Sequence, residues 1–427
     1  MNDSASAQAL QAFRAKDVAR TCIILSDLIR EEFGLQVSNI TLGNDGYSLN
    51  SVNGFLTTPT GEEYFFKFHH EENEESTLQE FYRGEILRDA GYPIDMPVYV
   101  SRAIGRQILL YTRRSTPRLA DLCRTYDGTD ADIGPVVAAQ RELDALTARI
   151  YRETFHPISE AECAAEPFHQ LFHHRLTTDD RQLGARAARF FASGRTFAFP
   201  GVSIADHALL DMKWRINGVM HADTLRTVLE RSMRLLSPRM LARSGGVTAH
   251  GDAHNANVWW EGAGRSLTFF DPAFAGHNIP AIMAEVKATF HNIFAHADWL
   301  YHPHDLPADM ATHASVTPDG ILDVTLGWEM NDLRRAFLDS KAVLLWRPLL
   351  EHMRATGHLP ADWRATIRCG LFCCPALVMD LCADGAGGHT PLSSLTGLAV
   401  AVMCGSEPVP PGQDVVSRFL DAIDPGN

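Results

Sequence analysis

Residues 250–271 read HGDAHNANVWWEGAGRSLTFFD, and the parsing of that stretch decides how the rest of the chain is understood. Residues 247–249, just before it, are apolar and β-prone. Residues 251–256 form a polar loop and 257–260 turn apolar again. Residues 261–265, EGAGR, make a glycine-containing turn, and 266–270 return as a second strand. Such a hairpin brings three side chains towards one point: Asp252 and Asn257 from the loop, and Asp271 at the exit of the return strand. Two carboxylates and an amide, with no cation among them, are hard-oxygen donors suited to Mg2+ held against phosphate. Pro272 disfavours helical backbone in the residue before it, which predicts an extended Asp271 with its carboxylate fixed at the strand end. Asp and Asn also populate loops simply because they make local turns. The weight therefore falls on the complete spacing, with its apolar hairpin, rather than on the HGD triplet.

Upstream, residues 7–33 carry apolar positions at helical spacing and Gly34 suits a helix end, which predicts one leading helix. Residues 37–42 read as a first strand. A loop rich in Gly, Asn and Ser follows (GNDGYSLNSVNG, 43–54), and 55–58 begin a second strand. Backbone N–H groups and small hydroxyls in such a loop approach phosphate closely, and Ser51, Asn53 and Gly54 are the candidates. There is no G-x-G-x-x-G and no Gly-Lys-Ser phosphate loop. Residues 64–68 form a third strand in which alternation puts Tyr64, Phe66 and Phe68 on one face and Phe65 and Lys67 on the other. A lysine on so apolar a strand needs an anionic partner or exposure. A helix over 74–90 ends at Gly91 and Pro93, and the acidic run EENEE at 71–75 reads as its solvated N-terminus, complementing the helix dipole. Residues 97–101 and 107–112 supply two more strands, five in all.

From 119 to 245 the pattern is mostly helical, clearest over 142–155 and 222–236, and glycine and aromatic residues interrupt it at 190–202 and 214–220. Helices are predicted again over 280–296, 328–353, 369–381 and 392–403, the last two apolar nearly all round, as in the core of a helical lobe. The 19 histidines include seven between 250 and 304. Their spacing fits no standard zinc set, and His254 and His277 flank the polar hairpin residues closely enough to lie near a substrate.

His-Gly-Asp, four residues, Asn, then a hairpin ending in Asp resembles the catalytic loop and metal-binding aspartate of the aminoglycoside phosphotransferase and choline kinase group, small-molecule kinases with a protein-kinase-like fold. Protein kinases have Arg where this chain has Gly251, and Phe-Gly where it has Pro272-Ala273. The resemblance implies an α+β, two-lobe fold: a small lobe over 1–111 with a five-stranded antiparallel sheet, and a large, mainly helical lobe over 112–427, with ATP between them. It implies transfer of the γ-phosphate of ATP, with Mg2+, to a hydroxyl of a small molecule. Asp252 would address that hydroxyl, Asn257 and Asp271 would bind metal, and Lys67 would hold the α- and β-phosphates. Glu80, placed relative to Gly91 as the paired glutamate of the family is, would orient Lys67, with Glu85 as fallback. Thr112 falls where the family's hinge passes the adenine. Two other activities fit the same scaffold: a non-catalytic nucleotide-binding module, and nucleotidyl transfer to protein.

The chain has 427 residues, 45% hydrophobic and 21% charged, ample for a large core. A net charge of −14 and the lack of a basic stretch argue against a nucleic-acid partner, and favour cationic substrates only as a weak long-range field. Eight scattered cysteines read as buried reduced thiols, hence a cytoplasmic protein. No apolar run is long enough to span a bilayer, and the N-terminal residues lack the apolar core of a signal peptide.

Overall fold

The computed structural model describes residues 5–43, 51–69, 76–101, 103, 106–178, 182–383 and 385–426. Most of the polar loop, 44–50, and the acidic run 71–75 lie outside them. The chain forms two compact units. The first comprises Met1–Asp89, Pro93–Thr116 and Thr268–Ala273; the second comprises Ala90–Tyr92, Pro117–Leu267 and Phe274–Asn427.

The first unit opens with two helices, α1 (Ala5–Arg14) and α2 (Val18–Phe33), where the sequence predicts one. The break has a local cause. Lys16 takes a positive φ of 59°, and Asp17 caps α2 by accepting from the Arg20 amide. Gly34, at φ 69°, closes α2 as expected. Strands β1 (Asn39–Leu42), β2 (Ser51–Thr57) and β3 (Glu63–His69) precede helix α3 (Ser76–Asp89), and β4 (Tyr99–Val100) and β5 (Ile108–Thr112) complete an antiparallel sheet in the order β1-β2-β3-β5-β4. The predicted alternation on β3 holds: Tyr64, Phe66 and Phe68 are buried, while Phe65 and Lys67 are half-buried. The buried face meets Leu25, Leu28 and Ile29 of α2 together with Val52, Leu56, Ile108 and Leu110. Each fully buried side chain of this size contributes about 1.5–3 kcal/mol relative to exposure, so α2 is held by packing rather than by its own propensity. One expectation is corrected. β2 starts at Ser51, so Ser51, Asn53 and Gly54 belong to a strand and not to a loop. Gly54 is required there because a Cβ would lie 2.2 Å from the Thr41 carbonyl oxygen and 2.8 Å from the Phe66 ring.

The second unit is mainly helical. Helices α4 (Leu119–Tyr126) and α5 (Gly134–Thr154) lead it, and Trp363–Val378 and Pro391–Gly405 pack together at its centre, nearly every residue buried. The glycine- and aromatic-rich interruptions are strands that helical periodicity does not reveal. β6 (Thr196–Phe199) and β7 (Val202–Ala205) pair with each other. β8 (Trp214–Ile216) and β9 (Val219–Met220) join two later strands in a four-stranded sheet. β10 (Gly246–Ala249) precedes the polar loop, and β11 (Val258–Glu261) and β12 (Ser266–Phe269) are the hairpin. β13 (Gly276–Pro280) returns against β10, with a bulge between Val247 and Ala249. β14 (His313–Val316) pairs with β15 (Leu322–Thr325), which runs parallel to β8. The helix predicted over 280–296 is replaced by the end of β13, a 3-10 turn at Ala281–Met283, a short α segment Val286–Thr289 and a π turn Phe290–Phe294. A second π turn, Lys341–Trp346, interrupts the helix expected over 328–353. All eight cysteines are free. No described helix is long and apolar enough to cross a membrane.

Candidate active site

Candidate residues fall in both compact units. In the first, Lys67 Nζ donates to Asp271 Oδ1 at 2.9 Å, a pair separated by 204 residues. The lysine side chain is 14% exposed and the aspartate 40%. An anionic partner of the kind the apolar strand demands is therefore the acid at the end of the return strand. Asp271 corrects the expectation of an extended backbone: its φ is +55°. Proline disfavours the right-handed helical region before it, and aspartate is one of the few residues that enter the left-handed region at low cost. A charge-assisted contact with Lys67 offsets that cost. Backbone pairing anchors the segment, since the Phe269 amide donates to the Pro93 carbonyl at 2.7 Å and the Asp95 amide donates to the Phe269 carbonyl at 2.8 Å.

Asn53 is the direct cross-strand partner of Lys67, and Ser51 lies opposite His69. The Asn53 side chain reaches back to Gly43, where a Cβ would come within 2.1 Å of Oδ1. Thr112 is the exposed last residue of β5, opposite Tyr64. Glu80 lies on α3 but its side chain is outside the described ones, as is the proposed pairing with Lys67. Glu85, the fallback, faces Arg88 at 3.6 Å.

In the second unit, Gly251 has φ 76°, and a Cβ would lie 2.3 Å from the Phe274 carbonyl oxygen. That contact explains why glycine follows His250, and it fixes the loop against the segment after Asp271. The Asp252 amide donates to His250 Nδ1 at 3.3 Å. Asn257 Nδ2 donates to the Asp252 carbonyl at 3.0 Å, which leaves its Oδ1 unbonded among the described residues. The Asn255 amide donates to Asn292 Oδ1 at 2.7 Å, tying the loop to the π turn. Asp252 itself is 8% exposed. Its Oδ1 lies 2.7 Å from Lys287 Nζ and 3.6 Å from His254 Nε2. Burial alone would raise the Asp252 carboxyl, but the Lys287 ammonium and the His254 ring outweigh it and hold the group well below the ordinary carboxylate range. His277 is exposed and contacts Thr248 Oγ1 at 3.3 Å.

Sequence reasoning gave Lys287 no role. The signal was present: PAIMAEVKATF, 280–290, places a lone lysine in an apolar run, the same anomaly that drew attention to Lys67. Lys341 is a second case. Its Nζ donates to Asp144 Oδ1 at 3.0 Å and to Glu285 Oε2 at 2.7 Å, all three buried, and Tyr151 donates to Glu285 Oε1 at 2.6 Å.

Each unit holds an oxygen donor of the kind a hard divalent cation takes. Asn257 offers a free amide oxygen, and Asp271 Oδ2 has no hydrogen bond among the described residues while Oδ1 is neutralised by Lys67.

No family model and no curated protein matches the chain. Solved structures similar to it include spectinomycin phosphotransferase APH(9)-Ia in complex with ADP and spectinomycin, 12% identical over 94% of this chain and 98% of that one, with a TM-score of 0.39. A macrolide 2'-phosphotransferase, MphH from Brachybacterium faecium, is 15% identical over 83% and 96%, with a TM-score of 0.34. The GDP and kanamycin complex of an APH(2") enzyme is 10% identical over 82% and 89%, with a TM-score of 0.41. At these identities and scores no residue role follows from the likeness. The α+β architecture stands on the chain itself: a five-stranded antiparallel sheet in the first unit and a mainly helical second unit.

Proposed function

We propose that the protein is an ATP- and Mg2+-dependent phosphotransferase acting on a hydroxyl of a small molecule. The observation that carries this reading is the 2.9 Å contact between Lys67 and Asp271, a strand-borne cation and a loop acid brought together across most of the chain. Phosphoryl transfer asks a protein for positioning and charge neutralisation more than for covalent chemistry. In this reading Lys67 takes the phosphates, and Asn257 and Asp271 hold the metal. Bound there, Mg2+ would neutralise charge on the transferring phosphoryl group.

Asp252 addresses the acceptor. Held in its charged form by Lys287, it is a weak base, suited to orienting the hydroxyl by accepting its hydrogen bond. A loose transition state needs no early removal of that proton. The π turn supports this arrangement from behind, because Asn292 fixes the loop backbone through Asn255. The test is ADP release in the presence of Mg-ATP across a panel of hydroxyl metabolites and antibiotics, with phosphorylated product identified by mass. Product carrying AMP, or ATP hydrolysis that no acceptor accelerates, rejects the reading.

A further inference from the structure

Two lysines of the second unit are sheltered from water, and the structure uses them differently. Lys341 lies in a closed network. Its Nζ donates to Asp144 and Glu285, and the same two carboxylates accept from Gln140 at 2.9 Å and from Ser340 and Tyr151 at 2.6 Å. The side chains of Lys341, Asp144 and Glu285 are 4%, 1% and 3% exposed. Lys287 pairs with Asp252 at 2.7 Å, and those two side chains are more open, at 8% and 12%. A buried ion pair gains the fold little over an apolar pair of similar volume. A partly open one, on the carboxylate assigned to the acceptor, has a use in the reaction instead.

The position of that ammonium is fixed from behind. Lys287 sits on the four-residue α segment Val286–Thr289. The second π turn, Lys341–Trp346, grips this segment at both ends. Lys341 holds Glu285, the residue before it, at 2.7 Å, and Trp346 Nε1 donates to Thr289 Oγ1 at 2.8 Å. Glu285, Thr289 and Trp346 are all buried. π turns inside helices are frequent at functional sites. A cation held in place before the reaction stabilises developing negative charge at no cost of reorganisation.

A hydroxyl that hydrogen-bonds to a carboxylate lies about 2.5–3.0 Å from it, and the atom it attacks stands about 3–3.5 Å further on. A phosphoryl group arriving there meets the negative charge of Asp252, and like charges at such distances repel strongly in a sheltered site. We propose that Lys287 is a catalytic residue: its ammonium hydrogen-bonds an oxygen of the phosphoryl group in transfer and cancels the repulsion between that group and Asp252. The proposal rests on the phosphotransferase reading and adds a residue to it. In the step, the acceptor oxygen forms the new bond to phosphorus. The bond from phosphorus to the bridging oxygen breaks, and its electron pair leaves on ADP. The hydroxyl proton passes to Asp252 and on to water, and Lys287 exchanges no proton.

The test is calorimetric binding of ADP to the full chain in Mg2+, with and without fluoroaluminate, a mimic of the phosphoryl group in transfer. It compares the parent with Lys287→Met, Lys287→Arg, Asp252→Asn and the double variant Asp252→Asn/Lys287→Met. The double variant removes both charges of the pair, so the fold is spared an uncompensated carboxylate. The expected result is that fluoroaluminate tightens ADP by about a hundredfold or more in the parent and in Asp252→Asn, as mimics of a transition state do. Lys287→Met should lose about 10²–10³ of that gain in both backgrounds, with the affinity for ADP alone unchanged, and Lys287→Arg should keep part of it. A gain that survives Lys287→Met, a loss seen only when Asp252 is intact, or an equal fall in the affinity for ADP alone would each overturn the proposal and leave the transferase standing. No gain in the parent would remove the phosphotransferase reading, and the role of Lys287 with it.

Discussion

Lys287 Nζ lies 2.7 Å from Asp252 Oδ1, and both side chains are buried in the second unit. The pair sets the protonation state of Asp252. Its folded-state pKa lies below the unfolded value of about 3.9. The stabilisation this provides is present above that unfolded value and is lost as pH falls through the folded pKa. Lys287→Met removes the largest of the interactions that oppose burial, so the carboxyl titrates higher. The acid limb of the turnover profile should move up by about one unit or more in the variant. An acid limb that stays where the parent has it would separate Lys287 from Asp252 in function.

Asp252→Ala and Asp271→Ala should fail in different ways. The first removes the group that the proposed function assigns to the acceptor, and turnover should fall by about 10²–10⁴ with nucleotide affinity retained. The second removes the acid that pairs with Lys67 and that the proposed function assigns to metal, and the Mg2+-dependent thermal shift with ATP should disappear. Equal loss of ATP affinity in both variants would contradict the division of roles.

Lys341→Met should be a stability variant. The ammonium is buried between Asp144 and Glu285, and its removal leaves two sheltered carboxylates uncompensated. Breaking such a pair costs about 3–5 kcal/mol, read as a lower urea midpoint of the second unit's transition. A midpoint within error of the parent would mean that the carboxylates protonate at little cost.

Gly251→Ala should cost activity without touching a charged group. The added Cβ meets the Phe274 carbonyl at 2.3 Å in a backbone region that alanine avoids. The Asp252 loop must shift, and turnover should drop at least about tenfold, since small misplacements of a positioning group are expensive. Parent-like turnover would show that the loop absorbs the change.

The elements that were readable from sequence are those with a strong period or a strong local signal. The alternation of 64–68 gave β3 and the side of the sheet on which Lys67 sits, and the apolar hairpin gave β11 and β12. The strands inside 190–220 were hidden because they are short and their partners, such as β15 for β8, lie far away in the chain. The helix predicted over 280–296 is helical only in pieces: Pro280 ends β13, and the rest is divided among a 3-10 turn, one α turn and a π turn, changes of winding that apolar periodicity does not distinguish. Lys287 went unassigned for a related reason. A sheltered cation is an anomaly that sequence can flag, but the acid that answers it is set by packing.

The first unit is not continuous along the chain, because Thr268–Ala273 belongs to it. A fragment ending near Thr116 would possess Lys67 without Asp271, and would leave the backbone groups of Pro93 and Asp95 without the Phe269 strand that pairs with them. Ribosomal synthesis at about 5–20 residues per second would therefore expose an unfinished sheet unit for roughly 10–30 s before its last segment emerges. Nor could a gene encoding that part alone supply the Lys67–Asp271 pair, so shuffling of the two halves between proteins is barred by the path of the backbone.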